Sequence, residues 1–195
     1  MRGTPIRLTL LLVCVAHIAN AATLSVDVRN ARGAPIHDAV IYALPEGRDL
    51  PMAKHTATMD QKNRMFVPHV LAIQTGTSVQ FPNSDDIRHQ VYSFSSAKTF
   101  QLPLYTGTPS TPIVFDQPGV VSLGCNIHDR MSAYIVVVDT PYFATTDGKG
   151  TVTLSNLTAG KYVIHVWHPD QRAETSALPV SLAATDRREL KFIVQ

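Results

Sequence analysis

Three features of this 195-residue sequence predict an all-β fold. Apolar and polar residues alternate with period two from Thr23 to Arg29, and short apolar runs bounded by Gly, Pro, Asn or Ser recur about every 8–12 residues. No stretch keeps apolar residues at helical spacing for three clean turns.

The first strand is Thr23-Leu-Ser-Val-Asp-Val-Arg29, closed by the turn Asn30-Ala-Arg-Gly33. The second is Ala39-Val-Ile-Tyr-Ala-Leu44, ended by Pro45-Glu-Gly47. Further on, the apolar runs 67–73, 78–81, 90–94, 113–115, 120–123 and 134–139 each sit between turn-forming residues and predict strands. The C-terminal part repeats the pattern with Gly150-Thr-Val-Thr-Leu154, the turn Thr158-Ala-Gly160, and then 162–167 and 189–194.

Hydrophobic residues make up 45% of the chain and charged residues 16%, which excludes disorder and allows a packed core of one domain or two small ones. The formal charge is +2, but Arg2 and Arg7 supply both excess cations. Without the first 21 residues, 15 Lys and Arg face 15 Asp and Glu. A neutral chain with no basic run offers no footprint for nucleic acid or for an anionic membrane surface.

Arg2 and Arg7, the apolar run Leu8 to Ile18, and Ala19-Asn20-Ala21 follow the order of a secretory signal peptide with an A-x-A cleavage site. The run is too short to span a bilayer, which takes about 20 apolar residues, so cleavage after Ala21 is expected and no membrane anchor remains. Export to the periplasm follows. Cys14 leaves with the signal, and Cys125 becomes the one thiol of an exported chain. Such a thiol is buried and inert, paired with another molecule, or held as a thiolate by a metal.

The run from Ser25 to Ile41 resembles the opening two strands of a carboxypeptidase-regulatory-like, prealbumin-type domain. Thr146-Asp-Gly-Lys-Gly-Thr-Val-Thr-Leu-Ser-Asn-Leu-Thr-Ala-Gly-Lys-Tyr-Val-Ile164 resembles the next stretch of that same domain. This resemblance implies a discontinuous sandwich, residues 22–50 together with 141–195, with a second domain of 51–140 inserted in a surface loop. The alternative gives residues 23–50 to the middle domain and leaves 141–195 as an appendage. The strand partners of Ser25 to Val28 separate the two.

The chemistry lies in Gly124-Cys-Asn-Ile-His-Asp-Arg-Met131, where a thiol, an imidazole and a thioether recur at three-residue intervals between two strands. A second imidazole, His89, lies where a loop enters the strand 90–94. Two His and one Cys with a weak axial Met form the ligand set of an electron-transfer copper site, since soft sulfur suits Cu(I) and imidazole tolerates both oxidation states. Zinc fits less well, because structural zinc takes four Cys or His ligands and seldom a thioether. The plain alternative is a buried Cys, a surface His and a core Met that are neighbours only in sequence.

Cys125-x-x-His128-x-x-Met131 resembles the ligand loop of the cupredoxins, in a short form similar to that of amicyanin. The stretch from about Phe66 to Tyr142 resembles cupredoxin-like proteins labelled methylamine utilization proteins. The resemblance implies a cupredoxin-like Greek-key β-sandwich beside the small Ig/prealbumin-like one. It also implies one type 1 copper per chain, with His89, Cys125, His128 and Met131 as ligands. Gln90 stands where these proteins often carry an Asn that braces the ligand loop, so Asn83 or Asn126 is expected to supply that support. Asp129, Arg130 and Arg88 flank the ligands, which makes docking more electrostatic than an apolar patch would.

The remaining histidines have duller readings. His165 and His168, three apart on a strand, point to opposite faces. His37 and His55 sit in polar turns, and His69 is the one with some chance of reaching the copper loop. Asp85 and Asp86 lie in a turn without a third acid and read as a solvated loop. No phosphate loop, nucleophile elbow or Ser/His/Asp spacing stands out, so an enzyme is not expected. The sequence therefore points to a copper protein passing single electrons between protein redox partners. A copper carrier or store, and a metal-free β-sandwich binding module, are the rivals.

Overall fold

The computed structural model describes residues 21–48, 50, 54–171 and 176–194, leaving aside the side chain at 176. The predicted signal segment up to residue 20, with Cys14, lies outside the described residues. The described chain is all strand and turn. In order, the strands are β1 Ala22–Asn30, β2 Val40–Pro45, β3 Thr56–Thr58, β4 Asp60–Lys62, β5 Met65–Val67, β6 Val70–Gln74, β7 Thr77–Gln80, β8 His89–Ser95 and β9 Lys98–Tyr105. They continue with β10 Ile113–Phe115, β11 Gly119–Gly124, β12 Ser132–Val138, β13 Phe143–Thr145, β14 Thr151–Leu157, β15 Gly160–Trp167, β16 Ser176–Leu182 and β17 Arg187–Val194.

The alternation read from 23 to 29 buries Leu24, Val26 and Val28 on one face of β1. Their partners settle the connectivity. Ser25 to Asp27 pair with β14, antiparallel, and Ser25 to Val28 with β17, parallel, while β2 pairs with β13 and β15. A three-stranded sheet β14-β1-β17 faces a four-stranded sheet β13-β2-β15-β16. Leu24, Val28, Ile41, Leu154, Tyr162, Ile164 and Phe192 share one core between them. Neither of the first two strands pairs with a strand of residues 56–138.

Buried hydroxyls tie the two ends of this sandwich together. Thr140 Oγ1 donates to the Ala43 carbonyl at 2.8 Å, and Thr146 Oγ1 donates to Ile36 O at 2.8 Å while accepting the Ala39 N–H at 3.0 Å. Gly150 has φ +75°, and a Cβ there would meet Val28 O at 2.6 Å, so only glycine fits the turn that pairs β1 with β14.

Strands of 56–138 build a second core. The sheet β10-β7-β3 packs on β6-β12-β11-β8-β9, enclosing Val79, Phe81, Val91, Phe115, Val121, Leu123, Ile135 and Val137. The hairpin β4-β5 stands beside them. A third apolar cluster joins the two halves, with Val40, Tyr42, Phe143 and Trp167 from one and Val70, Ala72, Tyr134, Val136 and Val138 from the other.

The run expected as one strand over 67–73 is two. Met65–Val67 pairs with β4, Val70–Gln74 pairs with β12, and Pro68, which has no N–H to give a ladder, lies between them. β3, β4, β9, β13 and β16 were absent from the sequence reading.

Candidate metal centre

Sheet order brings the proposed ligands together. His89 opens β8, Cys125 follows the end of β11, and Met131 precedes β12. Since β11 lies between β8 and β12, with Gly124 opposite Tyr92 on one side and Ser132 on the other, all three strands reach the same end of the sheet. The seven-residue loop from Cys125 to Met131 closes on itself where the Met131 N–H donates to His128 O at 2.9 Å.

The ligand atoms of His89, Cys125 and His128 all lie within 4.8 Å of one another. Cys125 Sγ is 4.0 Å from His128 Nδ1, and the two imidazole rings are 4.9 Å apart. A first-row metal about 2.3 Å from sulfur and about 2.0 Å from nitrogen, in a trigonal plane, holds those two atoms about 3.7 Å apart. The spacing fits. Met131, 2% exposed, belongs to the same apolar cluster as Cys125, which is 5% exposed. His128 is half-buried and sits between the exposed Ile127 and Asp129.

His89 is fully buried, and its two nitrogens have different surroundings. Nε2 lies 2.7 Å from Asp85 Oδ2, whereas Nδ1 has no hydrogen-bond partner. A buried N–H without an acceptor costs about 1–3 kcal/mol, so the proton belongs on Nε2 and the lone pair of Nδ1 is free. A buried acceptor nitrogen without a donor, beside a thiol and a second imidazole, is the arrangement that a metal ligand presents.

Asp85 is therefore no member of a solvated loop. Its side chain is 12% exposed, and besides His89 it accepts the backbone N–H of Asn63 at 2.6 Å and of Arg64 at 2.9 Å. Burial pulls its pKa up, but the Arg64 N–H, the His89 imidazole and the Asn63 N–H together outweigh this and hold it below the ordinary carboxylate range. Asp86 beside it is exposed, as expected.

Asn83 braces the loop that leads into His89, through bonds that do not reach the ligand loop 125–131. Its Nδ2 donates to Ile87 O at 2.9 Å and Tyr105 O at 2.8 Å, and its Oδ1 accepts the Asp85 N–H at 3.0 Å. Asn126 is exposed. Below this loop the Tyr105 hydroxyl donates to Phe81 O at 2.6 Å and accepts from Gln61. Burial pushes the Tyr105 phenol up to about 12, with Asp60 and Cys125 adding to the effect and the Gln61 bond opposing it.

The other histidines lie elsewhere. His165 stacks on Tyr42 at 4.8 Å, and His168 is buried, with Nδ1 accepting the Asp170 N–H at 3.2 Å. His69 packs edge-on to Tyr134 with Nδ1 3.9 Å from Asp38, and His37 lies 3.3 Å from that same carboxylate. His55 is exposed. Asn63 and Arg64 are contributors that the sequence reading did not single out, and Asp85 is one that it read as solvated.

No protein-family model matches this chain, and no curated protein matches it. Among solved structures it is similar to a copper-containing nitrite reductase from Thermus scotoductus SA-01, at 25% identity and TM-score 0.40, over 49% of this chain and 24% of that one. A purple cupredoxin from Nitrosopumilus maritimus gives 22% identity and TM-score 0.37, over 42% of this chain and 99% of that one. An amicyanin variant in its Cu(I) form gives 16% identity and TM-score 0.40, over 50% of this chain and 99% of that one. The chain thus spans about a quarter of the reductase and resembles each of the three over no more than half of its own length.

Proposed function

We propose that this chain is an exported type 1 copper protein that carries single electrons between periplasmic protein partners and is not itself an enzyme. One copper ion would be held by His89, Cys125, His128 and Met131. The observations that carry the reading are that His89, Cys125 and His128 each bring one ligand atom within 4.8 Å of the other two, and that the buried Nδ1 of His89 has no hydrogen-bond partner. Copper bound there supplies one reversible electron.

The residues explain why that electron would move readily. Thiolate, imidazole and thioether together accept both oxidation states, and the strand ends that carry them keep the geometry from relaxing between the two. The core around Cys125 and Met131 keeps water from the sulfur ligands. His128, the half-buried one of the four, marks the edge where a redox partner docks, next to the exposed Ile127, Asp129 and Arg130.

Two further parts belong to the same proposal. The domains are residues 22–50 with 141–195, a prealbumin-type sandwich that serves packing or docking, and 51–140, a cupredoxin-like one. Export rests on the order of basic residues, apolar run and A-x-A site in residues 2–21.

The test is copper content and an optical spectrum on protein exported in copper-supplied cells. One copper per chain and intense visible absorption are expected. Cys125→Ser should abolish that absorption while a weaker copper site remains, and Met131→Leu should keep the colour and raise the reduction potential. Colourless protein after Cu(II) addition would overturn the copper reading. Ready loss of Cu(I) to a chelator, without reversible one-electron cycling, would replace electron transfer by metal delivery.

A further inference from the structure

The turn between β4 and β5 is made of Asn63 and Arg64, with φ 55° and 58°. Two-residue hairpin turns with both central residues left-handed ordinarily end in glycine, and here an arginine takes that conformation against a cost of about 1–2 kcal/mol. The two residues present their consecutive N–H groups to the two oxygens of one carboxylate, Asp85. The same loop is stitched to β4, because Ser84 Oγ donates to Asp60 Oδ2 at 2.8 Å and the Ser84 N–H to Gln61 O at 2.9 Å. Asp85 Oδ2, so held, faces His89 Nε2.

We propose that Asp85 is a positioning residue of the metal centre, locking His89 as the Nε2–H tautomer with Nδ1 bare toward Cys125 and His128. It thereby raises copper affinity and lowers the reduction potential. The second clause rests on the copper reading above; the first stands on the apoprotein alone. A carboxylate accepting the far N–H of a ligand imidazole fixes the ring and makes the ligating nitrogen more basic. That donor strength and the carboxylate's negative charge both favour Cu(II) over Cu(I), so they act in the same direction. The β4-β5 hairpin, whose sequence carries no ligand, is then part of the site through two backbone N–H groups.

Two variants separate the contributions. Asp85→Asn keeps an acceptor oxygen for Nε2–H and removes the charge, while Asp85→Ala removes both. Nitrogen-15 spectra of the metal-free full chain should show His89 with a slowly exchanging Nε2 proton in the wild type and in Asp85→Asn, and mixed tautomers in Asp85→Ala. Copper dissociation constants should rise about 10–100-fold in Asp85→Ala, with partial rescue in Asp85→Asn. The potential should be higher in Asp85→Asn than in the wild type, with the blue absorption retained.

A wild-type His89 protonated on Nδ1, or the same single tautomer in Asp85→Ala, would overturn the positioning role. An unchanged potential in blue Asp85→Asn would overturn the electrostatic one. Wild-type protein that takes up no copper would sink the copper reading and the affinity and potential claims with it. The tautomer measurement, which needs no metal, would still decide whether Asp85 sets His89.

Discussion

Tyr105 shows how a single side chain couples the core to solution conditions. Its hydroxyl is bonded and partly withdrawn from water, and its pKa rises from 10.0 to about 12. A proton held more tightly in the folded state than in the unfolded one stabilises the fold fully below pH 10, and that contribution is lost as pH rises towards about 12. Tyr105→Phe should flatten the fall in stability across that alkaline window, measured by denaturant titration at fixed pH steps. At this same scale the metal centre divides into a legible and an illegible part. Cys125, His128 and Met131 announce themselves because regular spacing on one loop needs no tertiary information. Asp85 does not, since its meaning depends on two N–H groups some twenty residues away meeting it on the far side of an imidazole.

β12 shows the same division among elements. Its apolar run 134–138 has no polar alternation because both faces are covered: Ala133, Ile135 and Val137 point into one core, and Tyr134, Val136 and Val138 into the junction with the other sandwich. Ile135→Ala should cost about 2–5 kcal/mol. Val136→Ala, on the face that an isolated sandwich would leave wet, should cost about 2 kcal/mol by the removal of two buried methyl groups. Ser122→Ala on the exposed face of neighbouring β11 should stay within about 0.5 kcal/mol. Urea unfolding of the three variants checks the set, and a Val136 value near that of Ser122 would mean that the junction is open. Two of the strands missing from the sequence reading, β9 and β16, contain Pro103 and Pro179. Both strands lie at sheet edges, the places in a sheet that tolerate a residue without an N–H.

For the whole molecule, His165 and His168 make the fold sensitive to acid. Burial lowers the pKa of His165 and of His168 from the ordinary 6.5, and at His168 the charge of Asp170, a backbone hydrogen bond at His37 and the charge of Asp38 oppose it in part. Groups kept neutral in the fold contribute stability above their unfolded pKa, and this is lost as pH falls through 6.5 and below. Melting temperature should therefore drop between pH 7 and 5, and His165→Phe, which keeps the stack on Tyr42, should reduce that drop.

The sequence by itself determined that the described chain is β throughout, where most of its strands run, and which loop carries soft metal ligands, because these are properties of local periodicity and spacing. Only the tertiary structure decided which strands share a core, that His89 keeps one nitrogen bare, and that Asp85 and the β4-β5 turn stand behind it. Those outcomes arise from contacts between residues far apart in the chain. Strand pairing and burial select them, and no local pattern of residue types encodes a partner that arrives from another strand.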